Sequence, residues 1–188
     1  MFNNSLDNLS ILKKLKETYS DCYLQYDEIL NKSSIKLMSK TKGSSLYGMF
    51  YPDERISKYF VYDGKIVNDV DDCDFLYYFD DKNRLKLTIR KYDNDNEDLI
   101  FYYYIDDKID IVWYSFKRET IFMVGTIERK NGNLYRFLES FDCKKEINSY
   151  KEYFFTNEGV VLRTYARDFF KNGKDYESET KFKYIDGA

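Results

Sequence analysis

Tyr77-Tyr78-Phe79-Asp80-Asp81-Lys82-Asn83-Arg84-Leu85 reads as an aromatic strand, a polar turn and the start of an alternating strand. Tyr153-Phe154-Phe155-Thr156-Asn157-Glu158-Gly159-Val160-Val161 follows the same plan. β-Branched and aromatic residues favour a pleated, half-buried surface, and clustered Asp, Asn and Gly reverse the chain between such runs. Asp63-Gly64 stands between Tyr59-Phe60-Val61-Tyr62 and Lys65-Ile66-Val67, which is a hairpin pattern. Asn131-Gly132 and Asn172-Gly173 repeat it, and Asp69 to Asp74, Asp93 to Asp98, Asp106 to Lys108, Lys117-Arg118 and Lys144-Lys145 supply further turns. From Ser44 onward this punctuation predicts about eleven strands.

Ahead of them, Leu6, Leu9, Leu12 and Leu15 recur at spacings of three, with Ile11 beside them and Lys13, Lys14 and Lys16 mostly off the stripe. That period predicts an amphipathic helix over Ser5 to Tyr19, capped by Asn4 or Ser5 with Asp7 in its first turn. Cys22 to Leu30 fits helix and strand equally. The expected fold is mainly β with an N-terminal helix (α+β). It is a large, curved antiparallel meander, as far as a half-barrel, with the amphipathic helix packed on it. The expected organisation is a single domain over 1–188, with a helical segment over 1–30 and the meander over 44–185.

A tight three-residue turn over Asp106 to Lys108 would set Ile105 opposite Ile109, Phe101 opposite Trp113 and Tyr102 opposite Val112. The central strands then read as apolar on both faces. The flanking strands read as having one polar face: Leu85, Leu87 and Ile89 alternate with Arg84, Lys86, Thr88 and Arg90. Three things can cover the second central face: the leucine helix, closure of the sheet on itself, or a partner.

Composition removes several chemistries. The 188 residues include 20 Tyr and 15 Phe, one Pro and no His. Without histidine there is no Ser-His-Asp or Cys-His nucleophile and no zinc held by imidazole. Three widely spaced cysteines, Cys22, Cys73 and Cys143, form no C-x-x-C pair and read as reduced thiols. The paired carboxylates Asp71-Asp72, Asp80-Asp81 and Asp106-Asp107 fall in turns, where they bond local backbone. Asp93-Asn94-Asp95-Asn96-Glu97-Asp98 begins like a calcium loop, but lacks glycine at its sixth position and glutamate at its twelfth. No cofactor, metal or catalytic residue is therefore expected, and the chain reads as non-enzymatic.

Thirty basic and 33 acidic residues give a net charge of −3, which does not suit nucleic acid. The charge is unevenly spread: Asp63 to Asp110 holds 14 acids and 7 bases. A meander sends alternate turns to opposite ends. That places Asp69, Asp71, Asp72, Asp93, Asp95, Glu97 and Asp98 together as an acidic surface for a basic protein. Tyr102 and Tyr114 join them as aromatic partner-binding candidates. No apolar run reaches membrane-spanning length, and no basic-then-apolar leader opens the chain, so the expected location is the cytoplasm, away from membranes.

A leading helix followed by Gly48-Met49-Phe50-Tyr51-Pro52-Asp53-Glu54-Arg55 and then Tyr62-Asp63-Gly64-Lys65 is similar to the opening of bacterial periplasmic lipoprotein carriers. That resemblance implies a curved sheet wrapped round helices and holding acyl chains. Two functions thus stand as expectations. The first is an immunity or antitoxin-type inhibitor that binds a basic toxin or enzyme. The second is a carrier of an apolar ligand.

Overall fold

The computed structural model describes residues 5–41, 64–91, 97–130, 133–141, 147, 149–156, 161–169 and 175–181. Helix α1 spans Ser5–Thr18, one residue short of the expected end. The ambiguous segment is helical: a 3-10 turn over Cys22–Gln25 leads into α2 over Tyr26–Lys32.

Among the described residues eleven strands follow: β1 Ser34–Thr41, β2 Gly64–Ile66, β3 Phe75–Phe79, β4 Leu85–Lys91, β5 Glu97–Ile105, β6 Lys108–Ser115, β7 Thr120–Lys130, β8 Asn133–Phe141, β9 Ser149–Phe155, β10 Val161–Phe169 and β11 Asp175–Lys181. They form one antiparallel sheet in the order β11-β10-β9-β8-β7-β6-β5-β4-β3-β1-β2. Nine of them, β3 to β11, are a meander in which each strand pairs with its neighbour in sequence. The sheet is open, with β11 and β2 at its two edges among the described residues, so the half-barrel expectation reduces to an unclosed sheet.

At one edge the meander rule breaks. β1 lies between β3 and β2, pairing Ser34 with Phe79 and Ser39 with Ile66. The sheet therefore begins ten residues before the expected Ser44 boundary. The expected strand Tyr59 to Tyr62 and the Asp63 half of its turn lie outside the described residues, as do Asn131-Gly132 and Asn172-Gly173.

The opening hairpin forms where its residues place it. Asp80 Oδ1 accepts the backbone N–H groups of Lys82 at 3.0 Å and Arg84 at 2.8 Å, and Asn83 takes the left-handed conformation at φ 59°. Asparagine tolerates that conformation better than most side chains, so the turn and its sequence agree.

The central hairpin differs from expectation by one residue. Ile105 pairs with Lys108, leaving a two-residue turn of Asp106 and Asp107 with Asp106 at φ 49°. Phe101 therefore faces Val112 and Ile100 faces Trp113. A slip of one residue moves every side chain of one strand to the other face. Phe101, Val112, Tyr114 and Val124 share one face with α1. Ile100, Tyr102, Trp113 and Met123 share the other.

Leu12 is completely buried in the first cluster, with Leu9, Ile11 and Leu15 partly buried around it. α1 lies against β7, β8 and β9. A polar clamp sets its position. Asn8, itself buried, donates through Nδ2 to Glu152 Oε2 at 3.2 Å, and the Arg136 guanidinium bonds both Asn8 Oδ1 and Glu152 Oε1. Just beyond the helix, Tyr19 stacks on Tyr103 with ring centroids 4.0 Å apart and donates its hydroxyl to Asp110 Oδ2 at 3.0 Å.

The second cluster draws its described members from strands alone. Basic side chains expected in water lie across it. Arg90 stands 5.9 Å from the Phe75 ring centroid and 5.8 Å from that of Trp113, and Lys86 stands 5.6 Å from that of Tyr104. Such cations spread their stems over apolar surface and their charge over π-faces. Burial pushes the Lys86 ammonium below its ordinary pKa.

Gly125 shows how tightly β7 and β8 meet. A Cβ there would stand 3.0 Å from the Leu138 carbonyl oxygen and 3.1 Å from Phe137 Cε2. The first neighbour is backbone and cannot swing aside. Gly125→Ala is expected to destabilise the protein by about 1–3 kcal/mol through overpacking, read as a lower midpoint in urea. An unchanged midpoint would mean that the two strands can spread.

Candidate functional site

Register brings one end of the sheet into a continuous row. Phe75 pairs with Arg90, Arg90 with Asp98, Asp98 with Ser115, and Ser115 with Thr120. The row crosses five neighbouring strands, a width of roughly 19 Å at the usual strand spacing. Asp69 to Asp74 lead into its first member, Glu97 adjoins its third, and a 3-10 turn over Phe116–Arg118 links its last two.

The sequence-derived acids divide at this end. Asp69, Asp71 and Asp72 are exposed, with the Asp71 N–H bonded to Asp69 Oδ1 at 3.0 Å. Glu97 is half-buried. Its charge is felt by Tyr26 and Tyr78, whose hydroxyls are pushed up first by burial and then by that carboxylate. Asp98 is buried in the pairing row and offers no surface. Asp93 and Asp95 lie outside the described residues.

Of the two tyrosines, Tyr102 is buried at 2% exposure on the strand-only face, with its hydroxyl 3.3 Å from Thr88 Oγ1. It is a packing residue in the strand-only cluster, which corrects its reading as a surface for a partner. Tyr114 is also buried, but it lines an open groove of about 560 Å³ together with Lys16, Ser20, Tyr23, Phe116, Glu119, Thr120 and Ile121.

Sequence reasoning did not single out Tyr23, Phe116 or Glu119. The Cys22–Gln25 turn lays Tyr23 on Tyr114, with centroids 5.2 Å apart. Phe116 meets Tyr114 edge-on at 5.5 Å and Tyr26 edge-on at 6.1 Å. These four rings join the helical arm to the β6–β7 connection. Tyr23 and Phe116 keep 38% and 40% of their surface exposed. Partly exposed aromatic residues beside a groove are the side chains that anchor protein interfaces. Leu24, at 67%, adds apolar surface next to Tyr23.

Elsewhere, one buried acid stands out. Glu139 on β8 is 2% exposed, accepts the Tyr153 hydroxyl at 2.8 Å through Oε1, and has no partner for Oε2 among the described residues. Burial raises its pKa to about 7, against the downward pull of that hydrogen bond and of Lys151. Cys22 and Cys73 are free and buried, and burial pushes the Cys22 thiol up to about 12, so it is no nucleophile at neutral pH. Cys143 lies outside the described residues. Among the described residues no cluster of three His, Cys, Asp or Glu side chains is placed to hold a metal, and no helix is long and apolar enough to cross a membrane.

No family model and no curated protein sequence matches the chain. Among solved structures, it is similar to a crystal structure of a protein with unknown function from Bacteroides fragilis. That match has 13% identity and a TM-score of 0.37, covering 53% of this chain and 85% of the other. A likeness of that size carries no functional information.

Proposed function

We propose that the chain is a non-enzymatic protein-binding module of the immunity or antitoxin type, which engages a basic protein through the acidic, aromatic end of its sheet. The observation that carries this reading is the coincidence, at one sheet end, of exposed turn acids with an open groove bordered by exposed rings. An interface of ordinary size covers about 800 Å² a side, enough to include both. The alternative, a carrier of an apolar ligand, needs empty apolar space beside the sheet. Residues on both faces are instead completely buried: Phe101, Val112 and Val124 on one, Ile100, Met123 and Phe137 on the other. Of the stretches similar to the lipoprotein carriers, Gly48 to Arg55 and Tyr62-Asp63 lie outside the described residues, and Gly64-Lys65 open the edge strand β2.

The test is the rate of association with the product of the neighbouring reading frame. Steered association is fast and falls steeply with salt. Asp69→Asn, Asp71→Asn and Asp72→Asn together are expected to slow the on-rate about tenfold at low salt. The fold should survive, because exposed turn charges add little to stability. An unchanged on-rate with flat salt dependence would sink the acidic-end reading.

A further inference from the structure

Among the described residues, six rings carry a basic side chain over their faces: Tyr104, Phe75, Trp113, Phe122, Tyr153 and Phe154. Phe116 and Tyr23, both well exposed and both lining the groove, have ring contacts at Tyr114 and Tyr26 and no cation over their faces among the described residues. Their outer surfaces are open to a cation from outside the chain.

Glu119 supplies a second, independent observation. It closes the 3-10 turn in the left-handed conformation, at φ 48° and ψ 43°. Glycine or asparagine rests there more easily, so a glutamate at this position is strained. The side chain at this position is a carboxylate lining the groove. Its charge reaches the Tyr114 hydroxyl, which is raised first by burial and then by Tyr23 and Glu119. Glu97 acts on Tyr26, which packs edge-on against Phe116. Of the bases at this end, Arg118 is held over Phe122 and Lys91 donates to the Val70 carbonyl at 3.0 Å. Lys16 lines the groove half-buried, with interactions of its own, and Lys117 is exposed.

We infer that the groove seats a guanidinium or ammonium side chain of the basic partner, packed on Phe116 and Tyr23 and countered by Glu119. This rests on the reading of the chain as a module for a basic protein. A cation over a ring face gains from the ring quadrupole, and a carboxylate beside it fixes the direction of approach.

The experiment titrates the isotope-labelled full chain with a tetra-arginine peptide, a tetra-citrulline peptide of nearly the same shape without charge, and a tetra-norleucine peptide. Resonance shifts are expected at Tyr23, Phe116 and Glu119 with arginine, at about fivefold or greater affinity over citrulline. Glu119→Gly should weaken arginine binding by about fivefold while the thermal midpoint stays level or rises, because glycine relaxes the turn. Equal binding of norleucine overturns the inference and makes the groove a plain apolar seat. Shifts confined to Asp69, Asp71 and Asp72 overturn it too, while leaving the acidic-end reading in place. No shift with arginine anywhere on the chain overturns both.

Discussion

Replacing Glu139 by glutamine is expected to stabilise the protein at pH 8 by about 3 kcal/mol and to change little at pH 4. The carboxyl is buried on the strand-only face, where ionisation must leave a charge with one hydrogen-bond donor, Tyr153. Lys151 is the facing base: it pairs with Glu139 across the strands, but its ammonium is exposed and stands 4.9 Å from the Tyr153 ring centroid. Folding raises the pKa from 4.5 to about 7. Below 4.5 both folded and unfolded chains hold the proton, and stability is unaffected. Between 4.5 and about 7 the unfolded chain has released it and the folded chain has not, so stability falls as pH rises. The slope is about 1.4 kcal/mol per pH unit. Above about 7 both states are ionised and the loss is complete. Glutamine keeps the shape and the acceptor for Tyr153 and removes the titration. Urea denaturation of both proteins at pH 4, 6 and 8 reads the difference directly, since other carboxylates titrate alike in the two. Parallel stability curves would mean that Glu139 titrates in the folded chain as it does in the unfolded one.

The strands β3 to β11 were legible because their signals are local. Asp80 to Asn83 announce a turn that their own side chains then hydrogen-bond. The register of β5 on β6 was not legible, and the reason is physical. An alternating strand with one polar face punishes a one-residue slip, but Leu99 to Tyr102 and Ile109 to Tyr114 are buried on both faces. With either register every apolar residue is covered, so only the turn decides, and Asp106-Asp107-Lys108 permits two loop lengths. β1 was missed because its partners are far along the chain: Ser34 pairs with Phe79 across a stretch that no local pattern spans. At the candidate site the acids were readable as turn residues. The exposure of Tyr23 and Phe116 was not, since an aromatic residue beside a turn has the same pattern whether it packs inward or borders a groove. Glu139 left a trace, a charged residue inside the apolar run of β8, whose meaning depended on knowing that both faces of β8 are covered.

Leu12→Asp is expected to cost about 4 kcal/mol or more and to unfold a chain of ordinary stability. Leu12 is completely buried between α1 and the sheet, within the cluster of Phe101, Val112, Val124 and Leu138. A carboxylate at that depth is set among apolar side chains, and one turn away Asn8 and its Arg136 and Glu152 partners already bond one another. Leu12→Ala separates packing from charge and is expected to cost about 3 kcal/mol from lost contacts and the cavity left behind. Asn8→Ala, which breaks the clamp while leaving the apolar seam intact, should cost less than either, because it removes hydrogen bonds rather than buried apolar area. The ordering of the three variants in thermal denaturation tests the architecture. If α1 covers the second face of the central strands, aspartate exceeds alanine at Leu12, and both exceed alanine at Asn8. A melting point for Leu12→Asp equal to that of the parent chain would mean that the helix is a free arm. The face formed by Phe101 and Val112 would then be open to another molecule, and the search for the partner surface would move there from the acidic end.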